Sequence, residues 1–178
     1  MSDHSGVELL REQHGRIRTL LGEVTNVSGE TRQQTFDELR ALLAVHETAE
    51  ELTLRPMTRR DVPDGEKIAD ERMAEENEAK KVLADLEKLD VNSPEFESSF
   101  EKFRADVLEH AEHEESAEFP ALAATESADD LDKLYHRIET AEKTAPTHPH
   151  PSATTTSRNL VLGPFAAMAD RVRDALSA

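Results

Sequence analysis

One eleven-residue pattern occurs twice in the chain, as HETAEELTLRP at residues 46–56 and as HAEHEESAEFP at residues 110–120. Both copies read H-x-x-x-E-E-x-x-x-x-P, and they begin 64 positions apart in a sequence of 178 residues. Side chains four positions apart on a helix lie one turn apart on the same face. Each copy therefore brings an imidazole nitrogen and a carboxylate oxygen towards one point, His46 with Glu50 and His110 with Glu114.

The repeats sit within segments whose apolar residues recur at helical spacing. The sequence predicts a helix over residues 5–26, one capped at Ser28 or Thr31 and stopped by Pro56, one over 66–89, and one that starts at Ser93-Pro94-Glu95 and ends near Pro120. Short turns join the four segments. The predicted fold class is all-α: an antiparallel up-down four-helix bundle with additional C-terminal helices.

The C-terminal third of the chain is organised differently from the rest. We expect the bundle domain to occupy residues 1–122 and an extension to occupy 123–178. The extension contains a helix over 127–143, a Pro/Thr/Ser-rich linker over 144–157 and a short helix over 164–176. The apolar stripe of the last helix favours docking on the bundle, with a dimer interface as the alternative. His148 and His150 fit a solvated linker better than a cover over the bundle or a surface metal site.

The composition of the chain excludes several kinds of partner and several kinds of site. The net charge of −17 argues against nucleic acid and against anionic membrane surfaces, since both would repel the chain. The absence of cysteine excludes disulfides, thiolate metal sites and a cysteine nucleophile. The N-terminus has no signal-peptide pattern, and no stretch reaches the roughly 20 apolar residues of a membrane span. We expect a cytoplasmic protein, monomeric or homodimeric.

Both His–Glu pairs lie on the helix face that the bundle must bury. An ionised carboxylate without a partner is costly to bury, and two such burials beside imidazoles are hard to explain by packing alone. A bound cation removes that penalty. Oxygen and nitrogen donors without sulfur suit iron or manganese, and they also permit zinc.

The first and third predicted helices share a second spacing pattern. His14 precedes Leu20-Leu21 by six and seven positions, and Glu76 precedes Val82-Leu83 by the same intervals. The chain thus has the pattern of a duplicated helical hairpin. Two hairpins packed about a pseudo-two-fold axis would bring six ligands to a two-metal centre with two bridging carboxylates: His14, His46, Glu50, Glu76, His110 and Glu114.

Residues of about 5–120 resemble the hemerythrin-like family, the HHE cation-binding domain. The resemblance rests on EQH at 12–14, HETAEE at 46–51 and HAEHEE at 110–115. It implies a four-helix bundle holding two non-haem iron ions, bridged by carboxylates and an oxo or hydroxo group, with iron ahead of manganese or zinc. Glu115 is an alternative to Glu114, because family members differ in the spacing of this last acid. Glu47, next to His46, is expected to be exposed.

The third helix departs from the oxygen-carrying members of the family. RMAEENEAKK, residues 72–81, has no histidine, so Glu76 is the expected replacement, with Glu75 and Glu78 as alternatives. Extra carboxylate favours ferric iron, and reversible oxygen carriage is therefore not expected. The resemblance instead implies oxidative-stress chemistry on a small oxidant. Hydrogen peroxide, in a weak catalase- or peroxidase-like cycle, is the preferred candidate substrate, and O2 and nitric oxide are the next candidates. The redox partner is unknown. The alternative is a non-enzymatic oxygen- or iron-sensing or iron-binding protein.

Overall fold

The structure is a computed structural model that describes residues 5–144 and 165–177. Its helices are α1 (Gly6–Asn26), α2 (Gly29–Ala49), α3 (Arg55–Asp61), α4 (Gly65–Leu86), α5 (Pro94–His113), α6 (Phe119–Thr125), α7 (Ala128–Thr144) and α8 (Phe165–Ser177). Two π-helical turns, Glu50–Leu54 and Glu114–Glu118, connect α2 to α3 and α5 to α6. The described parts of the chain contain no β-strand.

Helices α1, α2, α4 and α5 form the antiparallel bundle, which confirms the predicted fold class. The start of α5 follows the predicted chemistry. The Ser93 side chain accepts a hydrogen bond from the Phe96 backbone N–H at 3.1 Å, and Pro94 occupies the first turn. This arrangement satisfies one of the free N–H groups at the helix start and uses proline where its missing donor has no consequence.

Pro56 and Pro120 do not end their helices, contrary to the sequence prediction. The helical path continues through α3 to Asp61 and through α6 to Thr125. In each case a π-helical turn precedes the proline, and the backbone N–H of the residue before it bonds to a carbonyl five positions back, Arg55 to Glu50 and Phe119 to Glu114. The wider turn relieves the clash that a proline ring makes with the preceding turn of an α-helix.

Two apolar clusters fill the bundle on either side of a polar layer. The first contains Ile17, Leu20, Leu21 and Val24 of α1 and the aromatic rings of Phe36, Phe96, Phe100 and Phe103, which contact one another. The second contains Val7 and Leu10 of α1 with Leu54, Phe119 and residues of α7. His14 lies between these clusters along α1. The buried histidines and glutamates of the bundle therefore lie at one level.

The C-terminal helices pack on this bundle. Phe165 and Met168 of α8 join the first cluster, Val172 joins the second, and the Phe165 backbone N–H donates to Glu87 Oε1 at 2.8 Å. The predicted docking of the last helix is confirmed. The linker with His148 and His150 lies outside the described residues, and the boundary between residues 122 and 123 stays a prediction.

The connection between α3 and α4 is unusually tight. Asp64 adopts a left-handed backbone conformation with φ of 56°. A Cβ atom on Gly65 would lie 1.9 Å from the Thr58 carbonyl oxygen. Only glycine permits this approach, which returns the chain into α4 within three residues.

None of the described helices combines the length and the apolar character that crossing a membrane requires.

Candidate metal centre

The six side chains predicted from the sequence meet in the polar layer of the bundle. They form two groups, and within each group one potential ligand atom per residue lies within 4.8 Å of the others. The two groups share Glu50 and Glu114. The first group is His14, His46, Glu50 and Glu114, and the second is Glu50, Glu76, His110 and Glu114.

The first group is closed by two imidazoles that face each other. His14 Nε2 lies 3.0 Å from His46 Nε2. His14 Nε2 is also 3.2 Å from Glu114 Oε2, and His46 Nε2 is 3.4 Å from Glu50 Oε1. All four side chains are at most 3% exposed. Two nitrogens and two carboxylate oxygens therefore converge in a space that water does not reach.

The second group lies between α4 and α5. His110 Nε2 is 3.2 Å from Glu114 Oε1 and 3.9 Å from Glu76 Oε1. Glu76 is 3% exposed and His110 is 12% exposed. The histidine-free α4 thus contributes a carboxylate at the position where α1 contributes His14.

Three fully buried atoms of the cluster have no hydrogen-bond partner among the described residues: Glu50 Oε1, Glu114 Oε2 and His110 Nε2. Buried polar atoms in proteins are almost always satisfied, so a group of three at one place calls for an explanation. All three are potential ligand atoms, and a cation would satisfy them together. Their chemistry, carboxylate oxygen and imidazole nitrogen, fits iron or manganese, and zinc is compatible with it.

Each histidine is oriented through its other ring nitrogen. His14 Nδ1 lies 2.7 Å from Glu115 Oε1, His46 Nδ1 lies 2.8 Å from Gln13 Oε1, and His110 Nδ1 lies 2.9 Å from Glu75 Oε2. Carboxylate and amide oxygens accept hydrogen bonds, so each Nδ1 carries the proton and donates it. The three Nε2 atoms then face the other potential ligand atoms, the arrangement typical of metal-binding histidines.

A fully buried arginine also enters the cluster. Arg55 is 1% exposed, and its guanidinium donates to four carboxylates. Nη2 donates to Glu76 Oε1 at 2.7 Å, to Glu50 Oε2 at 3.5 Å and to Glu114 Oε1, while Nη1 donates to Glu118 Oε2 at 2.6 Å. Glu118 also accepts from the Thr58 hydroxyl.

The electrostatics of the shared carboxylates follow from this crowding. Burial, reinforced by the charge of Glu114, raises the pKa of Glu50 well above its usual value despite the opposing effect of Arg55. For Glu114, burial acts in the same upward direction, but Arg55 and His110 outweigh it and hold the pKa well below its usual range. Burial and the neighbouring His14 lower the pKa of His46 well below its usual value, which keeps the imidazole neutral and able to bind a cation.

A small cavity of about 20 Å³ adjoins the cluster. Apolar side chains, among them Ile17, Leu43, Ala79 and Val107, form much of its wall, and His14, His46, Glu76 and His110 border it. This volume accommodates about one small molecule such as water. Glu47 also lines it, and burial raises the pKa of Glu47 to about 7 against the effect of Lys80.

The alternative ligands that the sequence suggested lie outside the two ligand groups. Glu115 binds His14 Nδ1 and Arg18, and Glu75 binds His110 and His113, so neither belongs to the two groups. Glu78 is 70% exposed beside Lys81. The expectation that Glu47 is exposed is wrong. Its side chain is buried, because the turn that carries His46 inward brings its neighbour against α4 and Lys80.

Sequence reasoning missed Arg55, Glu118, Thr58 and Gln13. Gln13 had a signal, since it directly precedes His14 in the EQH motif. Arg55 and Glu118 had a weaker one: Arg55 directly precedes Pro56 and Glu118 lies two positions before Pro120, and each proline follows an H-x-x-x-E motif.

The four-helix bundle and its buried set of imidazoles and carboxylates define a class of helical proteins that hold cations between their helices. The chain belongs to the hemerythrin HHE cation-binding domain family, whose model matches residues 5–122. The resemblance drawn from the repeated motif is confirmed.

Individual relatives are distant. An uncharacterized hemerythrin-like protein of Schizosaccharomyces pombe is 27% identical over 134 residues, which cover 74% of this chain and 66% of the relative. A protein named DNA nickase from Nostoc sp. is 24% identical over 136 residues, 76% of this chain and 38% of that protein. This chain thus matches less than two thirds of either relative's length.

The fold recurs in a solved structure. The crystal structure of a hemerythrin HHE cation-binding domain-containing protein from Mycobacterium kansasii matches with a TM-score of 0.75 and 21% sequence identity. The match covers 96% of this chain and 99% of the other. At this identity it bears on the fold alone.

Proposed function

We propose that the protein holds two iron ions at the shared Glu50–Glu114 cluster and uses them to react with a small oxidant, with hydrogen peroxide as the preferred substrate. One observation carries the proposal: two four-residue ligand groups share two glutamates. The first position would be held by His14 and His46, the second by Glu76 and His110, with Glu50 and Glu114 bridging. Two iron ions bound there would supply a two-electron exchange with the oxidant.

The residues around the cluster support this chemistry in separate ways. Gln13, Glu75 and Glu115 orient the three imidazoles, so that the ligands need not rearrange when a cation enters. The two apolar clusters exclude water from above and below. The carboxylate-rich donor set favours the ferric state, which supports an irreversible reaction with peroxide over reversible oxygen carriage.

The cavity supports a small substrate. Its volume of about 20 Å³ suits hydrogen peroxide, O2 or nitric oxide and leaves no room for larger organic substrates. Its walls combine apolar side chains with the ring edges of His14, His46 and His110. A molecule bound there would lie beside the ligand atoms of both groups.

The proposal is tested on protein purified from iron-supplemented cells. Elemental analysis is expected to find roughly two irons per chain, with oxo-to-iron charge-transfer absorption. Oxygen release from hydrogen peroxide is expected to exceed that of the same concentration of free iron. Iron below about half an equivalent per chain, with turnover no greater than free iron, would refute both parts of the proposal.

A sensing role is the second candidate, and one contact favours it. Arg173 of α8 pairs with Glu51 at 3.4 Å, and Glu51 follows Glu50 in the first π-helical turn. A change at Glu50 could therefore reach the C-terminal helix. Limited proteolysis of the oxidised and reduced iron-loaded protein separates the two roles. Release of α8 on reduction, without peroxide turnover, favours sensing over the enzyme.

A further inference from the structure

The guanidinium of Arg55 donates hydrogen bonds to the carboxylate oxygens of the second ligand group and not to the oxygens that face the first group. Each shared carboxylate has one oxygen that faces the paired histidines, Glu50 Oε1 near His46 and Glu114 Oε2 near His14. Within residues 5–144 and 165–177, these two oxygens have no hydrogen-bond partner. The opposite oxygens, Glu50 Oε2 and Glu114 Oε1, accept from Arg55 Nη2.

The third acceptor of Nη2 is Glu76 Oε1, which belongs to the second group alone. One nitrogen of Arg55 thus engages all three carboxylates of the second group. The hydrogen bonds of the guanidinium go to carboxylates, and neither His14 nor His46 is among its partners within the described residues. The first group therefore presents free ligand oxygens, whereas those of the second are already neutralised by a positive charge.

The anchor that holds Arg55 lies outside both groups. Nη1 donates to Glu118 Oε2, and Thr58 holds the other oxygen of Glu118. Glu118 is fully buried and lies in the second π-helical turn. If Nη2 leaves the ligand carboxylates, the guanidinium can keep its bond to Glu118, because the two nitrogens are separate donors.

We propose that Arg55 is an internal counter-ion that competes with a cation for the second position, so that the two positions load in order, the His14–His46 position first. This inference rests on the proposed two-metal function. A positive charge within hydrogen-bond distance of three ligand oxygens opposes a second cation through charge repulsion and through loss of its own hydrogen bonds. Arg55 therefore sets the affinity of the second position and leaves that of the first nearly unchanged.

Calorimetric titration of the chelator-treated full chain with Zn²⁺ tests the order of loading. Zinc accepts the same nitrogen and oxygen donors and does not change oxidation state during the measurement. The unaltered protein is expected to bind two ions in two steps, the second weaker by about tenfold or more. The double variant Arg55→Met/Glu118→Gln removes the cation and its anchor together, so that Glu118 is not left as a buried unpaired charge and the carboxylates of the second group are available to the second ion.

In this double variant the second step is expected to strengthen by about tenfold or more, with the first step within about threefold of the unaltered protein. Arg40→Met is the matched control, because Arg40 of α2 is likewise a buried arginine and pairs with two carboxylates, Asp37 and Glu87. Both steps are expected to stay unchanged in the control. An unchanged or weaker second step in the double variant overturns the inference.

A second measurement uses the unaltered chain and does not depend on the variant folding. Crystal structures at one and at two equivalents of Zn²⁺ are expected to keep Arg55 Nη2 on Glu76 after the first ion and to show it displaced after the second. A second ion bound while Nη2 still contacts Glu76 and Glu114 overturns the inference. Failure of the two-metal function is distinguishable, since the unaltered protein would then bind no ion at His14 and His46.

Discussion

His14 Nε2 and His46 Nε2 lie 3.0 Å apart although the two residues belong to different helices, 32 positions apart. The Nδ1 of each ring donates to an oxygen, Glu115 for His14 and Gln13 for His46. The two Nε2 atoms therefore face each other across the space in which a cation would be held. A cation there would be bound by both rings, and the predictions below start from this geometry.

Replacing His46 with alanine is expected to reduce metal binding while leaving the helices intact. The change removes one of the two nitrogens of the first position, and the remaining side chains cannot move into its place within a packed bundle. Elemental analysis of iron-loaded protein is expected to show a loss of about one equivalent per chain. His136→Ala serves as the control, since His136 is exposed on α7. Equal iron in His46→Ala and the unaltered protein would falsify the ligand assignment.

Replacing Glu75 with glutamine is expected to weaken metal binding without removing a ligand. The Glu75 carboxylate accepts from His110 Nδ1 at 2.9 Å and so orients the ring. An amide is a weaker acceptor and can present its NH₂ group instead, and losses of about 10–100-fold in affinity are typical of such changes. Competition with a metal-sensitive dye measures the effect. The same substitution at Glu78, which is 70% exposed on the same helix, is expected to have none.

Filling the cavity is expected to slow the reaction with peroxide while the metal remains bound. Ala79 lines the cavity and is 6% exposed, so Ala79→Leu places three additional carbon atoms in a space of about 20 Å³. Oxygen release is expected to fall by about tenfold or more. Iron content is expected to stay the same.

Ala74→Leu provides the comparison, because Ala74 is exposed on the same helix. Undiminished turnover in Ala79→Leu at full iron content would mean that the oxidant reaches the cluster by another route.

Two glycine substitutions are expected to shift stability in opposite directions. Gly65→Ala forces a Cβ atom to within 1.9 Å of the Thr58 carbonyl oxygen, so the α3–α4 turn must open. The free energy of unfolding is expected to fall by about 2 kcal/mol or more. Gly22 lies in α1, and no atom from outside its own helical turns comes within 4 Å of an added Cβ in the part of the chain that the structure describes. Gly22→Ala is therefore expected to raise the free energy of unfolding by about 0.5–1 kcal/mol. Urea denaturation monitored by circular dichroism measures both, and a neutral Gly65→Ala would contradict the described turn.

Local patterns account for what could be predicted of the bundle. Apolar residues at helical spacing located α1 and α4 to within a few residues of their described ends, and the Ser93-Pro94 start signal located the beginning of α5. The same reasoning failed at Pro56 and Pro120, because the rule that proline ends a helix assumes an α-helical turn before it. A π-helical turn provides the space that the ring needs, and nothing in the local sequence distinguishes the two cases.

The repeated H-x-x-x-E motif determined by itself that His46 and Glu50, and likewise His110 and Glu114, share one helix face, because side-chain direction follows from helical periodicity alone. The equal spacing of His14 and Glu76 from the apolar pairs that follow them extended the predicted site to these two residues. The tertiary structure alone decided which atoms meet: that Glu50 and Glu114 belong to both groups, that Glu115 and Glu75 orient rings instead of joining a group, and that Arg55 is buried among the carboxylates. Distances between helices depend on how whole apolar faces pack, and the π-helical turns rotate Arg55 and Glu118 inward, so neither could be read from spacing along the chain.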